Sequence, residues 1–494
     1  MSAADLVLAI DQGTTNTKAL LVAADGRVLH QASVPNTVSY PQPGWAEQSA
    51  TALVDGVKQV IADVVAKAGS TDRVAAVAIS NQRESIVVWD AATGEPIGPC
   101  IIWQCRRSAP KCEALRAAGH ARAIEDKTGL ALDPLFPAAK IAWLLDNVPG
   151  ARVRAERGEL RAGTVDSWLL WTLTRGSVHA TDHSNASRTQ LFDTAALRWD
   201  KQLAALFDVP TTLLPEVRSS DSEFGHLAAG VTALPAGTPI RAMIGDSHAA
   251  LFGHGVRAPG TVKATYGTGT SLMALTPERV LSSHGLSSTI AWSIAGTVSH
   301  AIEGNISVSG QAAAFMAQLL GLPDAAALSA LASSVSDSNG ATFVPALVGL
   351  GAPHWRADAR GTITGMSLGT TPAHLARAAI EAIAFQTADV FSAMEQDMGA
   401  PMAELRADGG ASRNAFLMQF QADILGRPVA TAAAAEVSAL GAAALAFASM
   451  GIDMAPVPAA GRHAPTMASA ERDSHRQRWH AAIAQTLYTI PDAG

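Results

Sequence analysis

Residues 6 to 23 read LVLAIDQGTTNTKALLVA, an apolar strand, a polar turn from Asp11 to Lys18, and a second apolar strand. An ordinary hairpin tip has little use for such a turn. Gly13 lets the backbone come close to an anion, the hydroxyls of Thr14, Thr15 and Thr17 and the turn N–H groups can donate to phosphate oxygens, and Lys18 adds a positive charge. Asp11, leaving the first strand, is placed to hold Mg²⁺ beside that phosphate through water, because Mg²⁺ keeps several of its waters. In isolation a plain polar β-turn would read the same way. A second copy weighs against that: residues 262 to 274, VKATYGTGTSLMA, send another apolar strand through Tyr266-Gly267-Thr268-Gly269-Thr270-Ser271 and out again. Two such hairpins about half a chain apart imply two related domains gripping one nucleotide from both sides. We place the first over 1–254 and the second over 255–494, with the boundary in the glycine-bearing segment 253–260.

Size agrees with that division, since 494 residues are too many for one hydrophobic core. The 36 basic and 43 acidic side chains leave a net charge of −7, spread without long runs, so neither nucleic acid nor an anionic membrane is expected as a partner. Cys100, Cys105 and Cys112 fit neither a disulfide framework nor a common zinc spacing and read as reduced thiols. The runs without Asp, Glu, Lys or Arg, 280–302 and 304–323, are too polar to span a bilayer. No N-terminal targeting pattern is evident, and a cytoplasmic protein is expected.

Along the chain, 50–68 carries apolar residues at helical spacing and 74–79 reads as a buried strand ending at Asn81-Gln82-Arg83-Glu84. In open α/β sheets ligands sit beyond strand ends, which makes that tetrad a candidate site. A strand from Ile240 ends at Ile244-Gly245-Asp246, placing a carboxylate at a second strand end; helix N-capping is the structural alternative for Asp246. Beyond the second hairpin, 304–320 reads as helix, 374–398 as a long helix and 437–452 as a buried helix of small residues. At 408–414, DGGASRN, paired glycines precede a helix start, where backbone can approach a base or phosphate, although a simple turn has the same look.

Taken together, DQGTTNTK (11–18), NQRE (81–84), WQCRR (103–107), SNASRT (184–189), GDSHAALFG (245–253), YGTGT (266–270), GLGAPHW (349–355) and DGGASRN (408–414) resemble the FGGY carbohydrate kinases, glycerol kinase branch. The resemblance runs from Ile10 to about Met450. It implies an α/β fold of duplicated actin-like, ribonuclease H-like domains with ATP and substrate in the cleft between them. Residue by residue, it makes Asp246 the catalytic base, and Asp11 with Asp246 the Mg²⁺ site. Gly13, Thr14, Thr15, Lys18, Gly267 and Thr268 fall on the phosphate side, Gly310, Gly410 and Asn414 on the adenosine side. Arg83, Glu84 and Trp103 match polyol-binding positions, where a carboxylate and a guanidinium bind neighbouring hydroxyls and an indole packs on the carbon chain. A homodimer is the expected assembly.

The departures concern the acceptor. Leu135 stands where glycerol kinases carry Tyr, Ser247 where they carry Gln, and Ser271 where they carry Phe. Those substitutions enlarge the pocket and favour a polyol or ketose of about four to five carbons. Glycerol kinase proper is the alternative within the family. An actin-like nucleotide switch without a sugar substrate is the alternative outside it, and Arg83, Glu84, Trp103 and Asp246 would then have no task.

Overall fold

The computed structural model describes residues 5–488. Strands β1 (Leu6–Gln12) and β2 (Asn16–Ala23) form the first hairpin, and β3 (Val28–Pro35) extends it antiparallel. Strand β4 (Val74–Asn81) runs parallel to β1; β5 (Gly225–His226) edges β6 (Pro239–Gly245), which runs parallel to β4. The sheet order is β5-β6-β4-β1-β2-β3.

The second half repeats this plan. The hairpin β7 (Thr261–Tyr266) and β8 (Thr270–Thr276) is followed by β9 (Ser287–Ile294) and β10 (Thr297–Ile306), which extend the sheet antiparallel. Strands β11 (Glu404–Asp408) and β12 (Val429–Ala432) then add in parallel on the other side of β7, and β13 (Ala459–His463) edges them. The order β9-β10-β8-β7-β11-β12-β13 contains the same five-strand unit, three antiparallel strands followed by two parallel ones. This is the ribonuclease H-like plan, present twice as in actin-like proteins.

Two expectations need correction. Residues 304–306 belong to β10, and the helix begins only at Gly310 (Gly310–Leu319). The hairpin β9–β10 had no counterpart in the sequence reading. Its residues 287–292 and 301–304 are buried, so no alternation of polar and apolar residues marks them as strand.

Helix α1 (Ala50–Ala68) buries Leu53, Val57, Val60, Ile61 and Val64, is capped by Ser49 accepting from the Ala52 N–H, and stops at Gly69 in the left-handed conformation. It covers one face of the first sheet. The opposite face belongs to a core between the two sheets, where Val7, Ala9, Leu20, Met273, Leu440 and Ala443 meet. Two helices build that middle layer: α2 (Asp246–Gly253), following β6, and α3 (Val437–Ser449), following β12. They are the same element of the two repeats and lie directly on one another. A Cβ on Gly441 would land on the Ala249 carbonyl, and one on Gly253 would stand 2.6 Å from the Val437 carbonyl. The helix read at 437–452 therefore packs against the first half's sheet as well as beside its own.

Candidate functional site

The strand ends bring the site together. Strand β4 delivers Arg83 and Glu84 just past Asn81, and β6 delivers Asp246 at the first turn of α2. Asp246 is not the cap: Gly245 holds that position, and Asp246 Oδ1 accepts from its neighbour Ser247 N–H at 2.6 Å. Arg83 Nε donates to the same oxygen at 3.1 Å. The Asp246 side chain is 38% exposed, so its other oxygen has access to the cleft. Burial pushes the Asp246 carboxyl above its usual range, with Arg83 opposing and Glu84 assisting. Asp11, bonded by Ser80 Oγ at 2.9 Å, is pushed up to about 6 by burial and by the Asp246 charge. A pair of mutually repelling carboxylates suits a divalent cation. Among the described residues no group of three or more His, Cys, Asp or Glu could hold a metal. This donor set fits Mg²⁺, which binds through one or two carboxylates together with substrate phosphates and water.

Around Arg83 lies an ionic square that the sequence reading missed in part. Arg83 Nη2 meets Glu303 Oε1 at 2.6 Å, Arg188 Nε donates to Glu84 Oε1 at 2.7 Å, and Arg188 Nη2 lies 2.8 Å from Glu303 Oε2. All four side chains are buried. Burial works against the charge of Glu303, yet Arg188 and Arg83 hold it well below the usual carboxylate range. Arg188 sat inside the SNASRT motif, and Glu303 is the one charged residue between the two uncharged runs 280–302 and 304–323. That isolation was a signal, because a lone acid in a long uncharged stretch needs a partner if it is buried. Glu84 takes φ +59°, an uncommon conformation for a non-glycine residue, and its carbonyl accepts from buried Lys140 Nζ at 2.9 Å. Lys140 also bonds the Leu135 carbonyl at 2.6 Å, tying the two acceptor-side segments together; burial brings its ammonium down to about 8.

Ser247 and Ser271 meet across the halves with their hydroxyls 2.9 Å apart, backed by Lys263 and Glu303. Leu135 is half-buried. Trp103, 37% exposed, donates its indole N–H to Thr14 Oγ1 at 2.9 Å, and Thr14 in turn donates to Gln82. The Thr14 hydroxyl thus links the indole to the first hairpin in this conformation. Thr17 is buried and bonded to Asn36 at 3.0 Å, so its hydroxyl is not among the phosphate donors. Gly13, Thr15, Gly267 and Thr268 occupy the two turns, with Thr15 and Thr268 exposed. Lys18, opposite Asp11 across the hairpin, is paired with Glu436 of the second half at 2.6 Å.

Gly310 N–H donates to the Gly267 carbonyl at 3.1 Å, and a Cβ there would stand 2.6 Å from that oxygen, so only glycine lets the helix start close on the turn. Gly410 opens onto free space. Asn414 caps the helix Ala415–Leu425 by accepting from Leu417 N–H and donates to Ser329 Oγ at 2.7 Å. Arg107 lies over the rings of Trp45 and Trp143 and is structural.

Comparison with known proteins agrees with this arrangement. The model of the FGGY family of carbohydrate kinases, N-terminal domain, matches residues 6–253, and that of the C-terminal domain matches 262–450. The chain belongs to the FGGY family of carbohydrate kinases. It is 50% identical over 441 residues to an apulose kinase of Pectobacterium atrosepticum, covering 89% of this chain and 88% of the relative. It is 46% identical to a glycerol kinase of Symbiobacterium thermophilum, covering 97% of both. The crystal structure of Plasmodium falciparum glycerol kinase with ADP superimposes with a TM-score of 0.93 at 30% identity, covering 99% of each chain. This FGGY kinase is thus an ATP-dependent enzyme of sugars or polyols. No helix among its described residues is long and apolar enough to cross a membrane.

Proposed function

We propose that this kinase transfers the γ-phosphate of ATP to a hydroxyl of a polyol or ketose of about four to five carbons, with Asp246 as general base. The observation that carries the reading is the setting of Asp246. It stands at a strand end beside Asp11, fixed through Oδ1 by Arg83 and Ser247 N–H, with small serines rather than bulky groups next to it. In this role Oδ2 takes the proton of the attacking hydroxyl. Arg83 Nη1, buried without a hydrogen-bond partner, offers a donor to an acceptor oxygen, and Glu84 a carboxylate to a neighbouring hydroxyl. Trp103 covers the carbon chain. On the nucleotide side, Gly13, Thr15, Lys18, Gly267 and Thr268 bind phosphates and Gly310, Gly410 and Asn414 shape the adenosine site, while Thr14 contributes its backbone. Asp11 and Asp246 would hold Mg²⁺, which supplies charge neutralisation for the transferring phosphoryl group when bound.

Leu135, Ser247 and Ser271 support an acceptor longer than glycerol, and so does the similarity to an apulose kinase. Glycerol kinase proper is the second reading, favoured by the similarity to glycerol kinases over 97% of the chain. Glycerol, tetritols, pentitols and pentuloses compared with ATP, read as ADP formation, decide between them. A four- or five-carbon acceptor is expected to have the highest kcat/KM; glycerol at the top would select the second reading. The division at 254/255, a cytoplasmic location and a homodimer belong to the same proposal, and light scattering tests the last.

A further inference from the structure

Beside Asp246 lies a line of four polar side chains drawn from both halves. Lys263 Nζ donates to Ser247 Oγ at 3.1 Å, Ser247 Oγ lies 2.9 Å from Ser271 Oγ, and Ser271 Oγ lies 3.0 Å from Glu303 Oε1. Lys263 and Glu303, at the two ends, are buried. The carboxylate of Glu303, which Arg188 and Arg83 hold well below the usual range, sets the direction of every bond between them. An ionised carboxylate has no proton to give, so the single O–H of Ser271 points to Glu303. The Ser271 oxygen then accepts from Ser247, whose oxygen in turn accepts from Lys263 Nζ. Both hydroxyl protons are committed, and each serine oxygen keeps one lone pair. A group that reaches the two serines therefore meets acceptors and no donor. Arg83 presents the reverse, since its unpartnered Nη1 can only donate.

We propose that Ser247 and Ser271 form an acceptor-only subsite for a second hydroxyl of the sugar or polyol, on a carbon other than the one phosphorylated. This rests on the kinase reading above and adds to it the polarity of one wall. A hydroxyl there donates to a serine oxygen, whereas a carbonyl in the same place would face lone pairs. In a ketose the carbonyl accordingly lies away from the serines, on the side where Arg83 donates.

The experiment takes the full-length enzyme and its best four- or five-carbon acceptor, and compares that acceptor with each of its monodeoxy analogues in wild type, Ser271→Ala and Ser247→Ala. In wild type one analogue is expected to lose about ten-fold or more in kcat/KM, because the missing hydroxyl leaves its partner unpaired. In the serine variants the same comparison should shrink to about three-fold or less, the non-additivity expected of groups in contact. Serines that only support the fold would lower parent and analogue alike and leave the ratio unchanged, which overturns the proposal. So does a wild type indifferent to every deoxy analogue. Melting curves establish that the variants are folded. Should both fail to fold, a keto analogue at the sensitive carbon takes their place in the wild type: it is expected to lose as much as the deoxy one, and retention of activity overturns the idea. Absence of ADP formation with every polyol and ketose would instead remove the kinase reading itself, so the two failures are distinguishable.

Discussion

Asp246 is held by one carboxylate oxygen and left open at the other, and this asymmetry is what a general base needs. Arg83 and the Ser247 N–H fix the orientation, while the guanidinium also opposes the upward push of burial on the carboxyl. Asp246→Asn keeps the shape and removes the basic oxygen. We expect kcat to fall by about 10²-fold or more with ATP binding near wild type; isothermal titration and ADP-release assays check both, and substantial residual turnover would exclude Asp246 as base. Asp11 gives a second, pH-dependent test. Its carboxyl is about 6 when folded against 3.8 as the ordinary value, so between those pH values the folded chain holds a proton that the unfolded chain releases. Stability from this group therefore declines as pH rises through that window, and the full cost is present above it. Without Mg²⁺, Asp11→Asn should be more stable than wild type at pH 7.5, by at most about 3 kcal/mol, with the gap closing near pH 4 in urea titrations. A constant gap across pH would mean that Asp11 does not carry this cost. Asp246, Asp11, Arg83 and Glu84 could be read from the sequence because each lies at or just past a strand end. Lys263 could not, and Glu303 only as an isolated acid in want of a partner, since their partners lie in the other half, whose approach no local pattern encodes.

At the scale of elements, hairpins and helices differ in how plainly they were written. Helix α1 was legible to the residue: an apolar stripe between a serine cap and a glycine stop leaves one reading. The hairpin β9–β10 was not, because burial on both faces removes the alternation that marks a strand, and Ser, Gly and His break the apolar run. Helix α3 was recognised from its small residues, but its packing partner was not. The reason is visible where it crosses α2: backbone rests on backbone at Gly441 and Gly253, with no side chain between. Gly441→Ala would force a methyl group against the Ala249 carbonyl, and neither helix backbone can yield as a flexible side chain would. We expect a loss of about 3 kcal/mol or more, at the upper end for overpacking, measured as a lowered urea midpoint. A midpoint within error of wild type would show that the helices can separate at no cost.

The whole molecule is two copies of one sheet plan joined through that middle layer, and the duplication was the most legible feature because a turn of Gly and Thr recurs at the same place in each half. What one sequence could not display is which side chains pair between the two halves. Here Lys18 from the first hairpin is paired with Glu436, the residue immediately before α3 in the second half, and both side chains are partly exposed at 28% and 23%. A phosphate bound between the hairpin turns would compete with Glu436 for the same ammonium. Such a half-exposed pair is worth about 1 kcal/mol or less, so the competition can be only modest. Glu436→Gln removes the competing charge and keeps the side chain's length. The expected result is an ATP Kd lowered by about two- to five-fold, equivalent to about 0.4–1 kcal/mol, with a smaller difference from wild type at high salt as screening weakens the original pair. Acceptor KM should move little, since Glu436 has no hydrogen bond to the Arg83, Asp246 or serine group. Weaker ATP binding in Glu436→Gln would reverse the interpretation: Glu436 would then be holding Lys18 in the position that phosphate needs.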